Sequence, residues 1–250
     1  MTVRYLLAAL AAGLLAGVLM IPVQMARIVP IILHAEEFEG GGNHHEMAGM
    51  GHKIAENVAP VGETAVATPA VETHDHEATE ASDEKPLLLG RFWNTNFANL
   101  VSGAGFGLLL GGVALLSGMT INFRNGVIWG VAGWMAFQFL PSLGLPPELP
   151  GFPEVDIHAR QVWWVATVGM AIAGMLLLFS RKETLARIAG IVLLVAPHIY
   201  GAPQPVDISA PVPAYLAAQF VMAALSTTLF FWLVLGLAMG WFMERVEKHG

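Results

Sequence analysis

Uninterrupted apolar runs long enough to cross a bilayer are the feature that most restricts what this chain can become. A spanning helix needs about 20 mainly apolar residues, with roughly 17 to 25 tolerated through tilt and interruption. Six segments approach that requirement: residues 5–26, 96–118, 125–143, 161–179, 186–201 and 214–242. The fifth is short, so it either crosses with help from its neighbours or re-enters. The sequence therefore predicts an all-α, polytopic membrane bundle of five to six transmembrane segments. Residues 1–33 hold the first helix, 34–92 form a long loop, and 93–250 are the helical core. A charged fraction of 12%, against about 25% in soluble domains, agrees with lipid as the solvent.

A cleaved signal peptide is the competing reading of the first segment, since Arg4 precedes its apolar run. That run is longer than a signal core and no small-x-small site follows it cleanly, so a retained helix is expected. Gly13 with Gly17, and Gly126 with Gly130, form the small-xxx-small spacing that allows close helix packing in lipid. Lys and Arg in short connections favour the cytoplasmic side. With six spans and the N-terminus inside, the inner set is Arg4, Arg124, Arg181, Lys182, Arg187, Arg245 and Lys248; the outer set is Arg27, Lys85, Arg91 and Arg160. Residues 34–92 are then expected outside, in the periplasm of a Gram-negative cell.

That outer loop is unusual. Residues 34–85 carry twelve Asp or Glu against two Lys, and six of the nine histidines: His34, His44, His45, His52, His74 and His76. Its middle, rich in Ala, Thr, Glu and Pro, lacks the apolar content that offsets the cost of ordering, so disorder is expected. Its acidity argues against nucleic acid and for cations. The chain has no cysteine, so any metal is held by His, Met, carboxylate or backbone oxygen. Imidazole suits the later first-row divalent ions, and thioether favours Cu(I). "NHHEMAGMGH" (43–52) and "HDH" (74–76) thus suggest weak, exchangeable capture rather than a fixed site; the plainer alternative is a solvated acidic loop.

Two proline-framed stretches bear on chemistry. In "LPPELPGFPEVDIHARQVWW" (145–164), four prolines stiffen the backbone, and Glu148, Glu154, Asp156 and His158 could be held in a defined outer mouth. Trp163 and Trp164 read as an interfacial anchor. In "LLVAPHIYGAPQPVD" (193–207), His198 lies eleven residues past Arg187, about 16 Å at 1.5 Å per residue, which places it near mid-membrane. Pro197, Gly201, Pro203 and Pro205 then oppose continuation of the helix. Gly- and Pro-interrupted spans and intramembrane ionisable residues point to transport sites; a Pro-kinked helix whose histidine bonds a backbone carbonyl is the structural alternative. Gln24, Asn94, Asn96, Asn99, Gln138 and Gln219 read mostly as interhelical hydrogen-bonding groups. No P-loop occurs, and neither a nucleophile paired with a base nor an H-E-x-x-H pattern is present, so an enzyme is not expected.

"GLPPELPG" (144–151), "RQVWW" (160–164) and "APHIYGAP" (196–203), in this order among the hydrophobic spans, resemble the CbtA family of cobalt transporter subunits. "LAALAAGLLAGVL" (7–19), followed by a His-bearing loop, is also similar. The resemblance implies an inner-membrane subunit of cobalt uptake tied to cobalamin synthesis, beside a small single-span, His-containing partner, CbtB. It carries over to Glu148, His198 and the framing Pro197 and Gly201 as pathway residues. On this reading Co²⁺ is the transported ion, with no tightly bound cofactor, and His198, Glu154, His158 and the loop histidines are the candidate ligands. Nickel or copper as the ion, or a non-transporting metal-binding accessory subunit, is the alternative; the sequence does not say whether an ATPase takes part.

Overall fold

The structure, a computed structural model, describes residues 2–40, 84–153, 155–206 and 209–248. The described residues are helical wherever they are regular. Helix α1 (Thr2–Arg27) is followed after a turn at Ile28 by α2 (Val29–Gly40). Pro30 has no N–H to return to the preceding turn, and the amides of Ile31 and Ile32 bond back to the Ile28 carbonyl at 3.1 and 3.2 Å instead. Helix α3 is Glu84–Ser117. Then come α4 (Gly126–Trp134), a π turn (Met135–Phe139) and the short α5 (Leu140–Ser142), which run on without a break. Helices α6 (Ile157–Ser180), α7 (Thr184–Tyr200) and α8 (Ala214–Lys248) complete the bundle.

Four of these helical stretches are long and apolar enough to cross a membrane: Thr2–Arg27, Phe92–Ser117, Ile157–Ser180 and Ala214–Lys248. The six apolar segments read from the sequence all lie in helices, but α4 with its extensions and α7 are shorter than that standard. The loop boundaries also move. Residues 34–40 belong to α2 and 84–92 to α3, so the loop expected over 34–92 is narrower at both ends. The remaining stretch, with His44, His45, His52, His74 and His76, lies outside the described residues.

Helices α1 and α3 meet through glycines on both sides. A Cβ on Gly13 would overlap the Gly103 carbonyl, one on Gly103 would overlap the Gly13 carbonyl, and one on Gly107 would strike Ala9. The α4–α8 crossing repeats the device with Gly126 and Gly130 against Gly236 and Trp232, and Gly240 against Asn122. Lipid supplies no hydrophobic drive between helices, so this backbone proximity maximises dispersion contact. Polar ties reinforce both pairs: Asn99 Nδ2 donates to Gln24 Oε1 at 2.6 Å, and Trp134 Nε1 donates to the Leu225 carbonyl at 3.1 Å. Asn99 is thus an interhelical hydrogen-bonding group, as read from sequence, with Gln24 as the partner that the sequence did not name.

The pairings are antiparallel, which fixes the two ends of the bundle. The start of α1, the α3–α4 turn and the finish of α8 share one end, where the Phe123 amide donates to Glu244 at 2.9 Å. Helices α6 and α7 cross through Gly174 and Gly190, so their connecting turn lies at that same terminal end. Arg4, Arg124, Arg181, Lys182, Arg187, Arg245 and Lys248 collect there, while Arg27 and Arg160 lie at the opposite, distal end. Helix α7 therefore runs from the terminal end toward the distal end, and at 17 residues it is shorter than the four helices long enough to span. It packs on α6, and its other face, with Leu185, Ile188, Val192 and Ile199, is exposed, as suits lipid.

Placing Leu at Gly13 or Gly236 should force these crossings apart, because a side chain would have to displace facing backbone. Overpacking typically costs about 1–3 kcal/mol, and rigid backbone leaves little room to relax. Gly112 faces open space, so Gly112→Ala should be neutral or stabilising by up to about 1 kcal/mol through helix propensity. Thermal aggregation of detergent-purified variants checks both; equal melting of Gly13→Leu and the unmodified chain would contradict the packing argument.

Candidate functional site

At the distal end, residues 143–153 and 155–156 fold back over the bundle instead of projecting from it. Leu145, Leu149 and Val155 are buried. Leu149 joins Ala35 of α2 with Val212 and Leu216 at the start of α8, and Ile31, Ile32, Phe38, Phe152 and Phe220 pack around them. The four prolines hold this segment extended, so its apolar side chains reach the core without a helix. Asp156 caps α6, its carboxylate accepting the Ala159 amide at 2.7 Å. This role as N-cap satisfies one of the open amides of the first turn.

Beneath the segment lies a chamber of about 960 Å³. Glu148, Arg160, Gln138 and Gln161 give it a polar side, and Phe137, Pro141 and Trp164 give it an apolar one. Glu148 and Arg160 form an ion pair, Nη1 to Oε2 at 2.7 Å, with both side chains partly exposed. A cation reaching Glu148 must therefore compete with a guanidinium that can swing into water. Partial exposure keeps that competition affordable, since pairs of this kind contribute about 0–1 kcal/mol.

His198 occupies a different place. It lies in the last turn of α7 at the distal end, not half-way along the bundle. The distance counted from Arg187 is sound, but α7 ends two residues later: Gly201 adopts φ 90°, which only glycine takes readily, and its amide bonds the Pro197 carbonyl. The imidazole packs edge-on against Trp163, ring centres 6.1 Å apart, and its Nε2 is buried without a hydrogen-bond partner. Pro197 is buried beside it.

The two adjacent tryptophans thus part company. Trp163 is 6% exposed, faces α7 and closes over Gly144 and Ala202, so it is a packing residue and not the interfacial anchor read from sequence. Trp164, about 100° further round the helix, looks into the chamber. Glu148, paired with Arg160, and His198, packed on Trp163, thus meet different faces of α6's first turns. His158 is exposed and lines no part of the chamber; Glu154 lies outside the described residues. His34 sits on α2, its ring 5.7 Å from Phe38. Among the described residues no three His, Asp or Glu side chains converge as a metal site.

Sequence reasoning missed Arg160 as the partner of Glu148, although Arg160 opens "RQVWW". It also missed Phe137, on the chamber wall within the π turn. The signal was Pro141: it cannot donate to the Phe137 carbonyl four residues back and its ring crowds that group. The helix widens there, and the Leu140 amide bonds Met135, five residues earlier. Such π turns recur at functional positions.

No curated protein and no solved structure matches this chain. The family described as "Probable cobalt transporter subunit (CbtA)" matches residues 2–244, and so includes both proline-framed stretches and every residue that lines the chamber. The chain belongs to the CbtA family.

Proposed function

We propose that this chain is the membrane-embedded subunit through which Co²⁺ enters a bacterial cell across the inner membrane, with the distal chamber as its outer mouth. The observation that carries the reading is the Glu148–Arg160 pair inside a chamber of about 960 Å³, built by the "GLPPELPG" and "RQVWW" stretches. Lys and Arg gather at the terminal end, so the positive-inside tendency assigns that end to the cytoplasm and the chamber to the periplasm. The acidic, His-bearing stretch is joined to α2 at Gly40 and to α3 at Glu84. Both attachments belong to the distal end, where His44, His45, His52, His74 and His76 would raise the local ion concentration beside the mouth.

Glu148 supplies the first carboxylate that an ion meets, and Arg160 holds that carboxylate in place between passages. His198, whose buried Nε2 has no hydrogen-bond partner, lies beside Trp163 outside the chamber lining and would be a donor separate from Glu148; Pro197 and Gly201 position it by ending α7. Co²⁺ suits such nitrogen and oxygen donors, although Ni²⁺ and copper bind them more tightly, so selection rests on geometry and supply. A small single-span, His-containing subunit of the CbtB type would work beside it, and cobalamin synthesis would consume the ion. The accessory reading, in which the chain binds metal for another permease, draws its support from the absence of a convergent three-ligand cluster among the described residues.

In a host lacking its own uptake systems, expression with the small partner should raise Co²⁺ accumulation above that of Ni²⁺, Zn²⁺ and copper. Absence of any accumulation, with the protein confirmed in the membrane, would favour the accessory reading. Glu148→Gln should raise the Co²⁺ concentration giving half-maximal uptake about tenfold, equivalent to about 1.4 kcal/mol, whereas Arg160→Gln should lower it or leave it unchanged. Equal curves for Glu148→Gln and the unmodified chain would remove the carboxylate from the pathway. His198→Ala should reduce uptake in well-expressed protein; undiminished uptake would leave His198 a packing residue for Trp163.

A further inference from the structure

The distal chamber has a counterpart. Toward the terminal end, between α3, α4 and α6, lies a second cavity of about 500 Å³. Its walls are apolar, including Leu110 and Met175, become polar at Thr120 and Asn125 near the terminal end, and open to the outer face of the bundle at Leu109, Ile128 and Phe179, which are exposed. Among the described residues, Phe137 alone lines both cavities.

Phe137 is held by aromatic neighbours from three helices. Its ring stacks on Trp232 of α8 at 5.5 Å and 18°, and meets Phe106 of α3 edge-on at 5.2 Å. Trp232 is wholly buried, and a Cβ on Gly133 would land within its ring, so that side of the cage is fixed. The remaining side is Trp164 of α6, 6.3 Å away and tilted. Helix α6 touches the rest of the bundle chiefly along the π turn and α5, and carries α7 with it. The cage therefore has two rigid walls and one wall on a hairpin with few other attachments.

We infer that Phe137 is the gate of the pathway, the side chain that separates the distal chamber from the cavity toward the terminal end. This inference rests on the transport reading for its purpose, though not for its geometry. The shared lining residue is the apolar ring of Phe137, seated on Trp232, and an apolar constriction excludes a hydrated ion by dewetting. Displacement of α6 withdraws Trp164, and the ring can then turn about χ1 from a π turn whose backbone is already widened. The two cavities become one route from Glu148 to Asn125.

The absence of cysteine makes the gate directly testable by labelling. Single cysteines are placed in the distal chamber (Gln161→Cys) and in the second cavity (Ala132→Cys), and a membrane-impermeant maleimide is applied to whichever membrane face labels Gln161→Cys. Ala132→Cys should be protected from that face, and adding Phe137→Gly should speed its labelling at least about tenfold by removing the dewetting barrier. Phe137→Val serves the same purpose with less disturbance of the helix, and Gln161→Cys labelling in each background reports that the chamber is intact. Labelling of Ala132→Cys that is already fast with Phe137 present, or equally slow with Gly or Val there, would overturn the gate. Uptake supplies the second readout: Phe137→Trp should reduce Co²⁺ accumulation at least about tenfold and Phe137→Val should lose discrimination among divalent ions, as expected of a constriction. Accumulation unchanged in both variants of an active chain would also overturn it. Faster labelling in a chain that accumulates no ion would keep the barrier and remove the transport reading.

Discussion

Backbone-to-backbone contact at the glycine crossings is the constraint from which the rest of this structure follows. In lipid, burying apolar surface between helices gains little over burying it in acyl chains, so close approach and satisfied polar groups must hold the bundle. Gly13 and Gly17 against Gly103 and Gly107 join α1 to α3, and Gly126 and Gly130 against Gly236 and Gly240 join α4 to α8. Helix α1 also packs along α8, so the two crossings merge into one rigid block centred on Trp232, Leu235 and Met239, all fully buried. The α6–α7 hairpin has its own crossing at Gly174 and Gly190, yet joins the block chiefly near the π turn and α5. The rigid part and the attached part meet along the walls of the two cavities.

This division explains why the distal chamber can combine polar chemistry with stable surroundings. Glu148 comes from a segment pinned by Leu149 to α2 and α8, whereas Arg160 and Trp164 come from α6. The ion pair thus bridges the block and the hairpin. A change at Glu148 that loosens Arg160 would also alter the seating of α6, and through Trp164 the packing around Phe137. On the proposed reading, binding at the mouth and opening at the constriction would be connected through these contacts.

Much of this was legible in the sequence, for identifiable reasons. The glycine spacings at 13/17 and 126/130 announced close crossings because backbone approach requires small residues at that period, but spacing cannot name a partner, so Gly103 and Gly236 were not paired with them. Charge placement sorted the connections between two ends, and the antiparallel pairings group the same Lys and Arg residues. Helix α2 was read as loop from residue 34 because His34, Glu36 and Glu37 end the apolar run; its core-facing Ile31, Ile32, Ala35 and Phe38 follow helical spacing and matter only once Leu149 and Leu216 are there to receive them. Trp163 and Trp164 could not be told apart because adjacent residues in a helix face about 100° apart, and only the position of α7 decides which is buried. Pro141 was visible, whereas its effect on Phe137 depends on the neighbouring helices.

The central claim is that this chain itself provides a route for Co²⁺ whose mouth holds Glu148. Its most direct test is Co²⁺ influx into proteoliposomes containing the purified chain and its small partner, followed by quenching of a trapped metal-sensitive dye. The account predicts saturable influx that is strongly reduced at limiting Co²⁺ when Glu148 is replaced by Gln. Quenching no faster than in protein-free liposomes, with the bundle shown to be folded, would contradict it.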